Sequence, residues 1–525
     1  MASTFGDGTI LSDTIAWDFG DSGSQFNQLH GFNAAHAYDN PGNYTITLTI
    51  TTPDGLVGEA TQNITVEQDN RPAIYVSPSG NDANNGSSPD QAIQSISRLD
   101  QLIGSNTRVL FQDGDTFDFS SGYVNVDRLQ NVYIGSYGSG SQPVLMYNGP
   151  ADSQGDVFIY MTGGTSGLVV QGLTFSTIYP DDGYQDDLPS VCNMSGSDIT
   201  IEDCTMLNLL NDFGASPINP NNVLVQDNSS PNPTGLNAYF YFVGGTNVAI
   251  LGNTVANSVG EAVLRIGGNA SQIEIAGNNF TEVPADGGTT GGKNVLSIQE
   301  GEYTYVYDNT LNTGPVETGP IGTPQANPNG IFQYAEYDSN TLINGSNFVI
   351  DPNAVDVMFK NNVVIGAGTV GFTINAQEVG GAFNWQAQNI YIENNTVTNP
   401  AGIYGGLLSI SNGQASNVFL DNNLYYDPGF EIGDGAAFVR VDENNLDSFA
   451  QIQDNVWQLP ASVGLWENGG YFFVSSDSSS QTGWLTPAEW EGTGVPTGDV
   501  YENVTLGSNY SVSVNGFTAG STLPM

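Results

Sequence analysis

Four carboxylates, Glu300, Glu302, Glu336 and Asp442, stand on or beside short apolar stretches. A pair of such groups at suitable separation is enough for acid–base cleavage of an acetal bond. Glu261 is a fifth candidate of the same kind. A second group, Asp181, Asp182, Asp186 and Asp187, packs four carboxylates into seven positions. That loop offers the oxygen ligands calcium takes, the alternative being a plain solvated loop, and no other cofactor is expected. Tyr241, Arg265, Gln299, Gln333 and Arg440 carry the aromatic, amide and guanidinium groups that grip hydroxyl-rich ligands. Cys192 and Cys204 lack neighbouring histidines for a zinc site and are expected to pack as small apolar groups, bonded to each other or free. His30 and His36 lie together near the N-terminus.

These residues can act together only if the fold lines them up. Stretches of the form apolar, outward, apolar recur along the chain. They include Ile159-Tyr160-Met161, Cys192-Asn193-Met194, Phe240-Tyr241-Phe242, Leu264-Arg265-Ile266 and Leu296-Ser297-Ile298. Phe332-Gln333-Tyr334, Phe372-Thr373-Ile374, Leu408-Ser409-Ile410 and Val439-Arg440-Val441 continue the series. A second series follows each of these and carries Asn before a small or apolar pair, as in Asn253-Thr254-Val255, Asn309-Thr310-Leu311, Asn395-Thr396-Val397 and Asn455-Val456-Trp457. Two interleaved strand series with variable loops predict a solenoid of stacked coils, a right-handed parallel β-helix over residues 73–460. Apolar residues fill its bore, and the recurring Asn stacks amide on amide from coil to coil at about 4.8 Å. A propeller would need four strands per repeat, more than the pattern supplies. The outward residues Tyr160, Asn193, Tyr241, Arg265, Ser297, Gln333, Thr373, Ser409 and Arg440 then form one column, with Gln299 and Asp442 two places further along their strands.

Residues 1–68 differ: Thr14–Phe19, Tyr44–Ile50 and Ala60–Val66 alternate as the strands of a small β-sandwich. Trp17-Asp18-Phe19-Gly20-Asp21 and His36-Ala37-Tyr38-Asp39-Asn40-Pro41-Gly42-Asn43-Tyr44 resemble the PKD domain, an immunoglobulin-like module. The family usually has a further strand before Ser3-Thr4-Phe5, so the domain is expected to be clipped or completed by a neighbouring chain. Asp69–Pro72 is a linker, and residues 461–525, with Trp484-Leu485-Thr486-Pro487-Ala488-Glu489-Trp490, are expected to cap the solenoid. Trp385, Trp457, Trp466, Trp484 and Trp490 suit either sugar platforms or core packing. The fold class is therefore all-β.

Tyr75-Val76-Ser77-Pro78-Ser79-Gly80-Asn81-Asp82 resembles the opening of bacterial and phage β-helix proteins, with a helix over Ala92–Leu102 capping the first coil. Asn294–Glu300 resembles the catalytic coil of β-helix alginate lyases and chondroitinase B. That resemblance places the family's lysine base at Gln299, which cannot take a proton, and so disfavours a lyase. The His and Arg-x-Lys groups of polygalacturonases are absent as well.

Charge narrows the partners. Eight basic against 55 acidic residues, a net charge of −47 over 525 residues, excludes nucleic acid and strongly anionic ligands. No apolar run is long enough to insert in a membrane. What remains is a polysaccharide or cell-surface glycan. Three roles fit. A virion or surface-appendage adhesin for host attachment is favoured, since resemblance to phage tailspikes implies a homotrimer and no secretion signal is visible after Met1. The alternatives are a secreted polysaccharide-degrading enzyme, hydrolase rather than lyase, and a structural filament or decoration subunit. An extracellular or virion location follows from any of them.

Overall fold

The computed structural model describes residues 10–120, 122–149, 157–178, 189–209, 213–215, 220–232, 240–258, 262–268, 270–282, 294–320, 330, 332–367, 370–374, 386–398, 406–411, 415–427, 437–442, 446–458, 471–475, 483–502, 504, 506, 511–514 and 517–520. The chain forms two compact units, one of Ser12–Gly292 and one that contains Lys293–Met525.

Ser12–Gly292 begins with a four-stranded antiparallel sheet in the order Gln28–His30, Thr14–Asp18, Gly42–Thr51, Val57–Val66. Its register sets Trp17 opposite Leu48 and Leu48 opposite Ala60. Because side chains alternate, Tyr44, Ile46, Leu48 and Ile50 share one face while Thr45, Thr47, Thr49 and Thr51 share the other. The three long strands expected from sequence are present, and the short Gln28–His30 is an addition.

From Ala73 the pairing becomes parallel. Each coil contributes up to three strands, one to each of three sheets. In the coil after Asn253 these are Thr254–Ser258 on a first sheet, Ala262–Gly267 on a second and Ala270–Ala276 on a third. Lys293–Met525 repeats the arrangement, for example with Thr341–Gly345, Phe348–Ile350 and Ala354–Lys360. Parallel pairing continues through Val500–Glu502. This is a parallel β-helix, with three strands per coil where the sequence series distinguish two. The helix expected before the first full coils forms over Ile96–Leu102, its N-cap Ser95 accepting from the Arg98 N–H.

Inside, Val, Ile, Leu and Phe alternate with outward residues, and aromatic rings stack along the bore. Phe348 lies face to face with Phe372 at 5.1 Å and Tyr337 with Phe359 at 4.9 Å. Such pairs add about 0.5–1.5 kcal/mol each beyond area burial. The predicted asparagine ladder is present in both units. Asn228 Nδ2 donates to Asn253 Oδ1 at 3.0 Å and Asn253 Nδ2 to Asn278 Oδ1 at 3.1 Å. Asn309, Asn340, Asn362, Asn395, Asn423 and Asn455 form the same chain in Lys293–Met525. The residue before each ladder amide takes a left-handed backbone, as at Asn361, Asn394 and Asn422 (φ 56° each). Asn tolerates that conformation, so Asn-Asn doublets recur, the first turning the chain and the second joining the ladder.

Cys204 occupies the ladder position one coil before Asn228, and its N–H still reaches Asn228 Oδ1 at 3.0 Å. Both cysteines are free and buried, and burial pushes each thiol up to about 12. Trp457 and Trp490 are fully buried, Trp490 stacking on Phe472 at 4.4 Å. They are packing residues. Trp385 and Trp466 lie outside the described residues.

Candidate functional site

The second sheet of Lys293–Met525 carries the outward column foreseen from sequence, with different members. Ser297, Glu317, Val349, Thr373, Ser409, Arg440 and Phe473 stand opposite one another on successive strands. Glu317 and Val349 come from Val316–Thr318 and Phe348–Ile350, two short strands missing from the sequence series. Gln333 is not in the column. Phe332–Asp338 lies on the third sheet, where Gln333 faces Glu302 and donates to it through Nε2 at 3.1 Å. Its apolar-polar-apolar triplet suits either sheet, and the tripeptide pattern cannot tell the two apart.

One group of polar side chains gathers around Glu317. Gln299 Nε2 donates to Ser297 Oγ at 3.2 Å, and Ser297 Oγ donates in turn to Glu317 Oε2 at 3.1 Å. Asn294 Nδ2 donates to the same oxygen. Asp351, which follows the strand Phe348–Ile350, lies close enough to Glu317 for the two carboxyls to act on each other. Asp351 is 2% exposed, and its Oδ2 has no hydrogen-bond partner among the described residues. Burial first and the Glu317 charge second push Asp351 up to about 8. Gly319, at φ +123°, makes room: a Cβ there would stand 3.0 Å from the Asp351 Cβ. Two neighbouring carboxyls disfavour each other's ionisation, and the shift at Asp351 is toward the protonated acid.

Arg440 and Asp442 share this face, four strands from Glu317, about 19 Å at the usual strand spacing of roughly 4.8 Å. Arg440 Nε donates to Asp442 Oδ1 at 3.0 Å, and the guanidinium lies over the Phe473 ring at 4.6 Å. Asp442 is therefore tied up in an ion pair and is a poor acid or base. Glu300 lies in the turn between the second- and third-sheet strands.

Glu302 and Glu336 face outward on the third sheet. Glu336 is 3% exposed and pairs with Lys360, whose Nζ also lies 3.5 Å from Asp338 Oδ2. Tyr305 donates its hydroxyl to Asp338 Oδ2 at 3.2 Å. Burial pushes Glu336 up to about 7 despite the opposing pull of Lys360. Burial alone would depress Lys360, but Glu336 and Asp338 outweigh it and hold the ammonium above its ordinary range. This is a buried ion-pair network, the mark of a structural group.

In Ser12–Gly292, Arg265 stands opposite Tyr241 on the second sheet, where the strand Phe213–Ala215 was also missed. The Tyr241 side chain lies outside the described residues, as do Glu261 and Asp181, Asp182, Asp186 and Asp187. Among the described residues no cluster of three or more His, Cys, Asp or Glu could hold a metal. No helix among them is long and apolar enough to cross a membrane.

Comparison with known proteins agrees with this architecture in part. The PKD domain family matches residues 1–67. The chain thus combines an N-terminal PKD domain with a parallel β-helix. No curated protein matches. Among solved structures, the catalytic unit of the GH87 α-1,3-glucanase from Streptomyces thermodiastaticus is 14% identical, covering 90% of this chain and 89% of that one, with a TM-score of 0.47. The GH136 lacto-N-biosidase from Eubacterium ramulus is 15% identical over 70% of this chain, with a TM-score of 0.43, and this chain spans 65% of its length. The endo-xylogalacturonan hydrolase from Aspergillus tubingensis is 11% identical over 85% of this chain and 100% of that one, with a TM-score of 0.30.

Proposed function

We propose that this protein binds an extended, neutral or weakly charged polysaccharide along the second sheet of Lys293–Met525 and hydrolyses it at Glu317 and Asp351. The observation that carries this reading is the buried Asp351 carboxyl beside a Glu317 carboxylate held by Ser297 and Asn294. Asp351, kept protonated by burial and by Glu317, is the general acid that donates to the leaving oxygen. Glu317, oriented by Ser297 and Asn294, is the carboxylate that activates water or attacks the anomeric carbon. A glycosidic oxygen placed beside the pair takes its proton from Asp351. Arg440, held by Asp442 and seated over the buried Phe473 ring, offers a more distant binding position, where a sugar can hydrogen-bond the guanidinium. Calcium at the Asp181–Asp187 loop remains a proposal of the same standing, tested by whether a chelator alters activity or melting.

A virion-associated or surface-appendage adhesin, trimeric and extracellular, would use the same face without turnover. The carboxyl pair favours cleavage over binding alone, because a carboxyl raised toward the protonated acid beside a second carboxylate serves no evident purpose in an attachment surface. Incubation with a panel of neutral polysaccharides, read by reducing-end release, tests the proposal. New reducing ends that vanish in Glu317→Gln and Asp351→Asn support it. Binding without cleavage by the unaltered protein, with a trimeric mass in solution, would instead establish the adhesin.

A further inference from the structure

Within Ser12–Gly292 the PKD domain packs against the third sheet of the β-helix. Gln25 Nε2 donates to Asp227 Oδ1 at 2.7 Å, and Phe26 fills the space over Gly252, where a Cβ would come within 2.6 Å of its ring. The two also border a cleft of about 510 Å³, lined by Trp17, Phe32 and His36 from the domain and by Asn222, Asn247 and Gln272 from the solenoid. That volume is in the range of small-ligand sites, about 300–1,000 Å³.

Three features of the cleft point to one kind of occupant. First, Asn247 Nδ2 donates to Asn222 Oδ1 and Asn222 Nδ2 to Asp198 Oδ1, each at 2.8 Å, in a second amide ladder. Unlike the ladder inside the bore it lies at the surface, and each amide nitrogen keeps a second N–H for a ligand. Second, the His36 ring is 1% exposed, stacked on Phe19 at 4.7 Å, with Nε2 3.1 Å from Asp21 Oδ2. With Nε2–H donating to Asp21, Nδ1 is a buried acceptor, and it has no partner among the described residues. Asn33 Oδ1, also at the cleft, is a buried acceptor in the same condition. These two acceptors call for hydroxyl or amide donors. Third, Trp17 and Phe32 supply apolar surface, and the cleft's charged lining is the Asp198 carboxylate, on a protein of net charge −47. An anion is excluded.

We infer that this cleft is a binding subsite for a neutral sugar, separate from the Glu317–Asp351 pair and not dependent on its role. Ring hydroxyls donate to His36 Nδ1 and Asn33 Oδ1 and accept from the amides of Asn222 and Asn247, while the apolar sugar face lies against Trp17 or Phe32. The site would hold one or two sugar units of a longer chain.

Calorimetric titration of the full chain with gluco-, manno- and galacto-oligosaccharides of two to six units tests this. The Glu317→Gln variant prevents turnover and serves as the reference. Asn222→Gly with Asn247→Gly removes both amides, and glycine keeps the left-handed backbone at these positions (φ 55° and 57°). At least one saccharide should bind the reference and lose affinity by about tenfold or more in the double-glycine variant. His36→Phe, which preserves the stack on Phe19 but removes the bond to Asp21, should weaken the same saccharide, whereas Asp21→Asn, which leaves the His36 ring in place, should weaken it less. Placed in the chain that retains Glu317, the cleft substitutions should leave reducing-end release from short oligosaccharides unchanged, so failure of the hydrolysis reading and failure of this one are distinguishable. Absence of binding by every saccharide tested, or binding untouched by both cleft variants, overturns the inference.

Discussion

Asp499 Oδ1 accepts both the backbone N–H of Asn455, at 2.9 Å, and its side-chain Nδ2, at 3.1 Å, while Oδ2 accepts from Trp457 Nε1 at 2.9 Å. A ladder of amides passes a donor forward at every rung, so its last member needs only acceptors. A carboxylate supplies them. Asp499→Asn should destabilise the protein by about 1–2 kcal/mol, because one acceptor facing Asn455 or Trp457 becomes a donor. Asp499→Ala should cost more. Chemical denaturation of both variants checks the order.

At the candidate active site, Glu317→Gln and Asp351→Asn should each lower turnover of a cleaved polysaccharide by at least about a hundredfold. Both keep side-chain volume, and neutral groups at this buried contact relieve repulsion, so melting temperature should hold or rise. Gln299→Ala should cost much less, since it touches Glu317 only through Ser297. Equal loss in all three, accompanied by lower melting, would mark the cluster as structural.

Stability should fall as the solution turns alkaline. Burial pushes Glu202 up to about 7, Glu282 up to about 8 and Asp351 up to about 8. Each folded-state value lies above the ordinary carboxylate range, so the folded protein binds more protons than the unfolded chain. Their contribution is fully present below about pH 4 and is lost as pH rises through 7 to 8. Melting curves between pH 5 and pH 9 should show a lower midpoint at the higher pH, the reverse of a protein held together by exposed ion pairs.

Lys360→Met should cost about 3–5 kcal/mol, because Glu336 and Asp338 then face each other with no cation. Adding Glu336→Gln should restore much of the loss. A double-mutant cycle by thermal unfolding measures the coupling.

The sequence disclosed the architecture through repetition: inward residues, the ladder asparagines and the PKD motifs all recur at positions local enough to read. The site was harder. Gln333 was assigned to the wrong sheet because a three-residue apolar-polar-apolar stretch fits any outward-facing strand, and only cross-strand register decides which. Glu317 went unseen because Val316-Glu317-Thr318 ends in threonine, whose burial against the Tyr337 hydroxyl at 2.7 Å is a tertiary fact. Asp351 sits just past a strand end, where no periodicity marks it. Lys360 was absent from the sequence reading, since its partners lie one strand away on the same sheet.

The ladder has a further consequence for how such a chain can change. Successive asparagines join at 22 residues' separation between Asn340 and Asn362, at 28 between Asn395 and Asn423 and at 33 between Asn362 and Asn395, with hydrogen bonds of 3.0, 3.1 and 2.9 Å. The amide contact resets the count at every coil. A loop can therefore gain or lose ten residues without shifting its neighbours out of step, which leaves the rim above the outward columns free to diversify toward new ligands while the bore stays as it is.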